Sequence, residues 1–231
     1  MKKQQIGALA LLGALCAASA GATAAPITDA VGDFLASYIA SGRPAGADLD
    51  IVAAEVFYSP DSHQFRFSGT MAGAIGSTAA IGGEAPLYVW GIDRGQGTER
   101  FLAGMPSIGD GVAFDSVLIL RTDGSATINL FGLGGGATNF AAGKALVNGN
   151  TISASFDESL FPSLGKAYNE YTWNLWSRFG GGNNAQISDF APNEAAGAND
   201  AANIRVTVPE PTSLALLGIG ALAFVRRKKA S

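Results

Sequence analysis

Polar and apolar residues alternate along the middle of the chain with the period of two that a strand with one buried face requires. The alternation falls into eight segments: Asp50–Tyr58, Gln64–Thr70, Leu87–Asp93, Ser116–Thr122, Ser125–Phe131, Ala145–Val147, Thr151–Phe156 and Tyr171–Phe179. In the last, Tyr171, Trp173, Leu175 and Ser177 share one face. Turn residues separate the segments: Pro60 and Asp61 before His63, Gly95 and Gly97 after Asp93, Asp123-Gly124, and Asn148-Gly149-Asn150. Asp-Gly and Asn-Gly between alternating runs carry the signal of type I′ hairpins. The stretches Gly69–Pro86, Gly132–Gly143 and Gly180–Asn184 read as loops, and no internal repeat of fixed period is present. Ile27, Val31, Leu35, Tyr38 and Ile39 would fit one face of a helix over Ile27–Ser41, but Gly32, Gly42 and β-branched residues weaken it. About eight or more short strands with tight turns and little helix predict an all-β protein, an antiparallel β-sandwich over residues 25–190. A small, polar stretch follows and predicts a linker at 191–207.

Two apolar runs break the pattern, one at each end. Lys2 and Lys3 precede an apolar run from Ile6 to Ala18, then small residues lead to Ala22-Thr23-Ala24. This is the layout of a secretory signal peptide, 1–24, with an apolar signal helix and a cut after Ala24. It implies the Sec machinery and signal peptidase as partners. Cys16, the one cysteine, lies in the apolar run behind Leu15, a poor context for lipidation, so the mature chain has no disulfide.

At the other end, Val208, Pro209, Glu210 and Pro211 precede an apolar stretch over 212–225 and the basic residues Arg226, Arg227, Lys228 and Lys229. The stretch spans about 21 Å as a helix, short of a bilayer core of about 30 Å. The long basic side chains extend its reach by snorkelling. They also place the C-terminus in the cytoplasm, and Lys2 and Lys3 do the same for the N-terminus, so the body lies outside. Pro209 and Pro211 resist helix and keep the triplet extended. Triplet, apolar helix and basic end together, 208–231, resemble the PEP-CTERM sorting signal of exported proteins of Gram-negative bacteria. The resemblance implies a precursor held in the inner membrane, cut near the triplet by an exosortase, and passed to the cell envelope, cell surface or extracellular matrix. It also implies a link to exopolysaccharide and biofilm.

The chain carries 15 basic and 19 acidic residues, a net charge of −4. Without Lys2, Lys3 and the four terminal basic residues 9 remain, and without Glu210 18 acids remain, so residues 25–208 carry −9. An acidic body is a poor partner for nucleic acid and suits divalent cations and neutral glycans.

Catalytic signals are sparse. His63, the sole histidine, lies in a predicted turn beside Asp61 and Ser62, and sequence neighbours do not make a triad. Asp157 and Glu158 are adjacent, and adjacent strand residues point to opposite faces, unlike the facing carboxylates of a glycosidase. A non-enzymatic protein is expected, with a secreted hydrolase as the remote alternative. Calcium is the more credible ligand, because it takes six to eight hard oxygens. Asp29, Asp33, Asp48 and Asp50 concentrate near the first strand, and Asp189 returns at the end of the fold. Asp93 with Gly95 and Gly97 is a second oxygen-rich turn. A glycan-binding module is the other alternative. For it, Tyr88 and Trp176 are the stacking candidates, Trp176 being opposite in parity to Trp173.

Residues 29–35, 46–51, 87–93, 114–118 and 187–192 together resemble a recurrent module of bacterial exported proteins, similar to carbohydrate-binding-module and DOMON-like β-sandwiches. That resemblance implies an extended or looped Asp29 region with at most a helical turn.

Overall fold

The computed structural model describes residues 26–132, 135–193 and 201–208. The signal segment, the triplet from Pro209, the span 212–225 and the terminal basic residues lie outside the described residues. Twelve strands, one short α-helix and five 3₁₀ turns are present among those described. They are β1 (Ile27–Thr28), α1 (Ala36–Ala40), β2 (Ile51–Ser59), β3 (Gln64–Met71), β4 (Pro86–Asp93), β5 (Ser116–Arg121), β6 (Ala126–Leu130), β7 (Gly136–Phe140), β8 (Leu146–Asn148), β9 (Thr151–Asp157), β10 (Thr172–Phe179), β11 (Ile187–Ala191) and β12 (Ile204–Arg205).

All ladders between these strands are antiparallel, in two sheets. One runs β1-β2-β3-β9-β8 and the other β11-β10-β4-β5-β6-β7. β12 pairs with Thr172 and Trp173 of β10, continuing the edge along which β11 pairs with residues 175–178. The first sheet is amphipathic. In β3, Phe65, Phe67 and Met71 are buried while Gln64 and Arg66 are exposed. Ile152, Ala154 and Phe156 of β9 continue the same face beside them. Facing them are Tyr88, Trp90 and Ile92 of β4 and Tyr171, Trp173 and Leu175 at β10, which close the core between the sheets.

The second sheet is buried on its other face as well. There a separate apolar cluster gathers Leu35 and Tyr38 from the α1 region, Phe101, Ile108, Val112 and Phe114 from the β4–β5 connection, and Val89, Trp176 and Phe190 from the strands. The described residues therefore form two sheets plus a covering layer of loops, short turns and α1.

Each predicted strand is present to within a residue or two, and the Asp29 region is a loop with a turn at Val31-Gly32 (Gly32 φ 82°) ahead of α1. Both predicted tight hairpins form, with other turn geometry. Type I′ needs positive φ at both central residues. At the β5–β6 turn only Gly124 has it (80°), and its amide donates to Arg121 O, the pattern of a type I turn closed by a left-handed glycine. At the β8–β9 turn Gly149 (61°) alone has it ahead of Asn150, which is type II′.

Two expectations are corrected. The stretch Gly132–Gly143 holds the edge strand β7, paired with β6 through five residues. In the stretch 191–207, the described residues 191–193 and 201–207 are not a free spacer. Ala191 ends β11, β12 lies within it, and Thr207 bridges Phe57, with Thr207 N donating to Val56 O (2.8 Å) and Tyr58 N to Thr207 O (2.8 Å). Val206 and Val208 pack on the main core. Apolar residues at 204, 206 and 208 make this tail worth burying.

Candidate metal centre

Three segments far apart in sequence meet beside β2. Asp29 follows β1, and its amide donates to Val52 O (3.0 Å), which lays the segment on β2. Six residues on, Leu35 N donates to Ser188 O (2.9 Å), tying the same segment to β11. Asp50 immediately precedes β2 and Asp189 is the central residue of β11. The carboxylate of Asp189 reaches across the two sheets to accept from Ile51 N at 2.8 Å.

Asp29, Asp33 and Asp189 each present a carboxylate oxygen, and these oxygens lie within 4.8 Å of one another. Asp50 joins them through Gly32, whose amide donates to its Oδ2 at 2.9 Å. Asp33 Oδ2 accepts from Asn193 Nδ2 at 3.0 Å, and Ala30 N donates to Asp29 Oδ1 at 3.0 Å. One oxygen of every carboxylate is thus held by a protein donor. The other oxygen of each is buried and has no hydrogen-bond partner: Asp29 Oδ2, Asp33 Oδ1, Asp50 Oδ1 and Asp189 Oδ1. Asp189 is fully buried, and Asp50 is 3 % exposed.

Crowded acids in a dry setting resist ionisation. Burial, then the charges of Asp33 and Asp50, lifts the Asp29 carboxyl to about 7 against the pull of the Ala30 amide. Burial raises Asp50 too, opposed by the Gly32 amide and reinforced by Asp33. Burial followed by Asp29, and then Asp33 and Asp50, holds Asp189 well above the usual carboxylate range despite the Ile51 amide. A divalent cation with oxygen preference would reverse each of these penalties.

Asp48, expected in the same cluster, is occupied elsewhere. Its carboxylate accepts from Gly76 N (3.1 Å), Thr78 N (3.0 Å) and Thr78 Oγ1, which staples the β3–β4 connection. Extended geometry would have put Asp48 and Asp50 on one face, but the turn Ala47–Leu49 is 3₁₀ and separates them. Asp93 is likewise committed, to the amides of Gly95 (2.8 Å) and Gly97 (2.9 Å) and to Lys166.

Tyr88 and Trp176 are not available to stack on a sugar. Tyr88 is fully buried with its hydroxyl donating to Asp48 O at 2.9 Å. Trp176 does take the opposite face to Trp173, but that face is covered, and Phe101 meets its indole edge-on at 4.8 Å. His63 is exposed on its turn in the left-handed region (φ 55°), with Nδ1 3.0 Å from Glu158 Oε1. Glu158 also accepts from the Tyr58 hydroxyl, and Asp157 caps the following turn through Ser159 N at 2.9 Å.

Asn193 and the Gly32 amide, which orient the cluster, carry no sequence signal of that role. Nor does the buried pair Arg94–Asp115, 2.7 Å apart, where Asp115 also accepts from Gln96 N. A lone Arg beside a turn glycine looks like any exposed turn residue.

Residues 207–229 match the family model of the PEP-CTERM protein-sorting motif. The match begins inside the folded body, at the bridged residue Thr207, and runs on into the basic end. It points to an exported, exosortase-processed cell-envelope protein. No curated protein matches the chain.

Proposed function

We propose that the chain is a non-enzymatic protein of the Gram-negative envelope or extracellular matrix, sorted by its tail and associated there with exopolysaccharide. The matched motif at 207–229 carries this reading. The order of its parts fits membrane retention followed by cutting near the triplet, with Pro209 and Pro211 keeping Glu210 out of a helix. The two-sheet body is consistent with the carbohydrate-binding-module and DOMON-like resemblance. The acids a hydrolase would draw on, Asp157 and Glu158, are engaged in local contacts, which favours a structural or binding role.

In a host with its exosortase, Pro209→Ala with Pro211→Ala is expected to let the terminal helix extend across the triplet and to accumulate uncleaved, membrane-held precursor on immunoblots. Unchanged processing would remove the triplet as the recognised element. Co-sedimentation of the purified chain with the host's own exopolysaccharide tests the second half of the reading, and absence of binding would reject it.

A further inference from the structure

We propose that Asp29, Asp33, Asp50 and Asp189 bind one calcium ion, which fastens residues 29–35 to β2 and β11. The proposal rests on side-chain placement and is independent of the export reading of the tail.

The four carboxylates share one arrangement. One oxygen of each is fixed by a protein donor, from Ala30, Asn193, Gly32 and Ile51 in turn. The partner oxygen of each is buried and unpaired. Outer donors that orient a ligand while leaving one lone-pair face open are the usual surroundings of a metal-binding carboxylate. An acidic cluster alone would not suffice, because surface acids gather without an ion. The telling group is Asp189, which is fully buried in the middle of a strand with Oδ1 unpaired. Buried polar atoms find partners in the great majority of cases, and a buried charge without one is costly. No Lys or Arg side chain forms an ion pair with any of the four among the described residues.

The donor chemistry selects the ion. The set offers carboxylate oxygen and neither sulfur nor imidazole, which suits hard cations rather than zinc or copper. Oxygens on opposite sides of a calcium ion stand about 4.6–5.2 Å apart, and around magnesium only about 4.2 Å. The Asp29, Asp33 and Asp189 oxygens lie within 4.8 Å of one another, close enough to meet on one ion, and calcium accepts such an irregular protein cage whereas magnesium demands near-ideal octahedral geometry and keeps several waters. Asp50, tied to the same segment through the Gly32 amide, stands beside these three as the fourth carboxylate, and water completes six or more.

The test is calcium titration of the chelator-treated full chain in detergent, by calorimetry and thermal melting. Expected are one ion per chain, a raised melting temperature, and at least tenfold weaker binding of magnesium. Asp33→Asn and Asp189→Asn should each weaken calcium binding at least tenfold, whereas Asp61→Asn, in an exposed turn, should leave it unchanged. Should either cluster variant fail to fold, hydrogen exchange on the unmodified chain decides. Calcium should slow exchange at the amides of Asp29, Gly32 and Leu35, which hold the segment in place. The proposal is overturned if calcium does not bind, if it binds without slowing those amides, or if folded Asp33→Asn and Asp189→Asn bind as the parent does. The first result would leave shared protons as what relieves the cluster.

Discussion

Gly91 in β4 lies beneath Trp176, and substituting it tests whether that indole belongs to the core. A Cβ added at Gly91 would meet Trp176 Cζ3 at 2.5 Å, Cη2 at 2.8 Å and Phe114 Cγ at 3.2 Å. Carbon atoms rest about 3.5–4.0 Å apart, so the indole would have to shift by about 1 Å. It has nowhere to go, since Phe101, Phe114 and Phe190 pack around it with ring centroids at 4.8, 5.3 and 6.3 Å. Overpacking of this kind costs about 1–3 kcal/mol. The backbone raises no objection, because Gly91 does not have positive φ, and the stiffer unfolded chain returns about 0.4–1 kcal/mol. Gly91→Ala is therefore expected to lose about 1–2 kcal/mol. In a Trp176→Leu background the clash is gone and the same change should be neutral or slightly stabilising, a coupling of about 1 kcal/mol or more. Urea denaturation of the four proteins, followed by far-ultraviolet circular dichroism, measures it. Equal effects of Gly91→Ala in both backgrounds, within about 0.5 kcal/mol, would refute the packing argument and return Trp176 to the list of accessible aromatics.

Asp115→Ala should cost about 3–5 kcal/mol by leaving the Arg94 guanidinium, 2 % exposed, without its partner. A urea midpoint close to that of the parent would show that water reaches the pair. At Asp93 burial opposes the charge, but Lys166 and the amides of Gly95 and Gly97 together hold its pKa below the usual carboxylate value. A depressed folded pKa stabilises the protein above the unfolded pKa of about 3.9, and the contribution fades as pH falls through the folded value. Asp93→Asn should thus cost about 1–3 kcal/mol near pH 7 and progressively less in acid; a gap between parent and variant that stays constant below pH 4 would contradict this sign.

Strand segments and the positions of their turns were legible because their rules are local. Phe65, Phe67 and Met71 alternate with polar residues, and nothing but a half-buried strand satisfies that spacing. β7 was illegible for the converse reason. Of Gly136–Phe140, only Phe140 is even partly buried, and it packs on Phe156 at 5.1 Å, so backbone pairing with β6 defines the strand and side-chain pattern does not. β11 is buried at all five positions and shows no alternation either. Composition also misjudged residues 201–208, whose three apolar side chains are too few to announce a core segment but enough to seat one against β2 and β10.

The parity of Trp176 relative to Trp173 followed from the chain alone, since side chains on a strand must alternate. Whether the second face meets water followed from nothing local, because the residues that cover it come from 35–38, 101–114 and 190. The acids divide in the same way. Sequence supplied Asp29, Asp33, Asp48, Asp50 and Asp189 as oxygen ligands in kind, since charge and residue type are written in the chain. Only the tertiary structure could draw Asp189 across more than a hundred residues to Ile51, turn Asp48 away to Gly76 and Thr78, and bring the carboxylates of Asp29, Asp33 and Asp189 together. Distances between segments are set by how two sheets pack, and packing is a property of the whole fold.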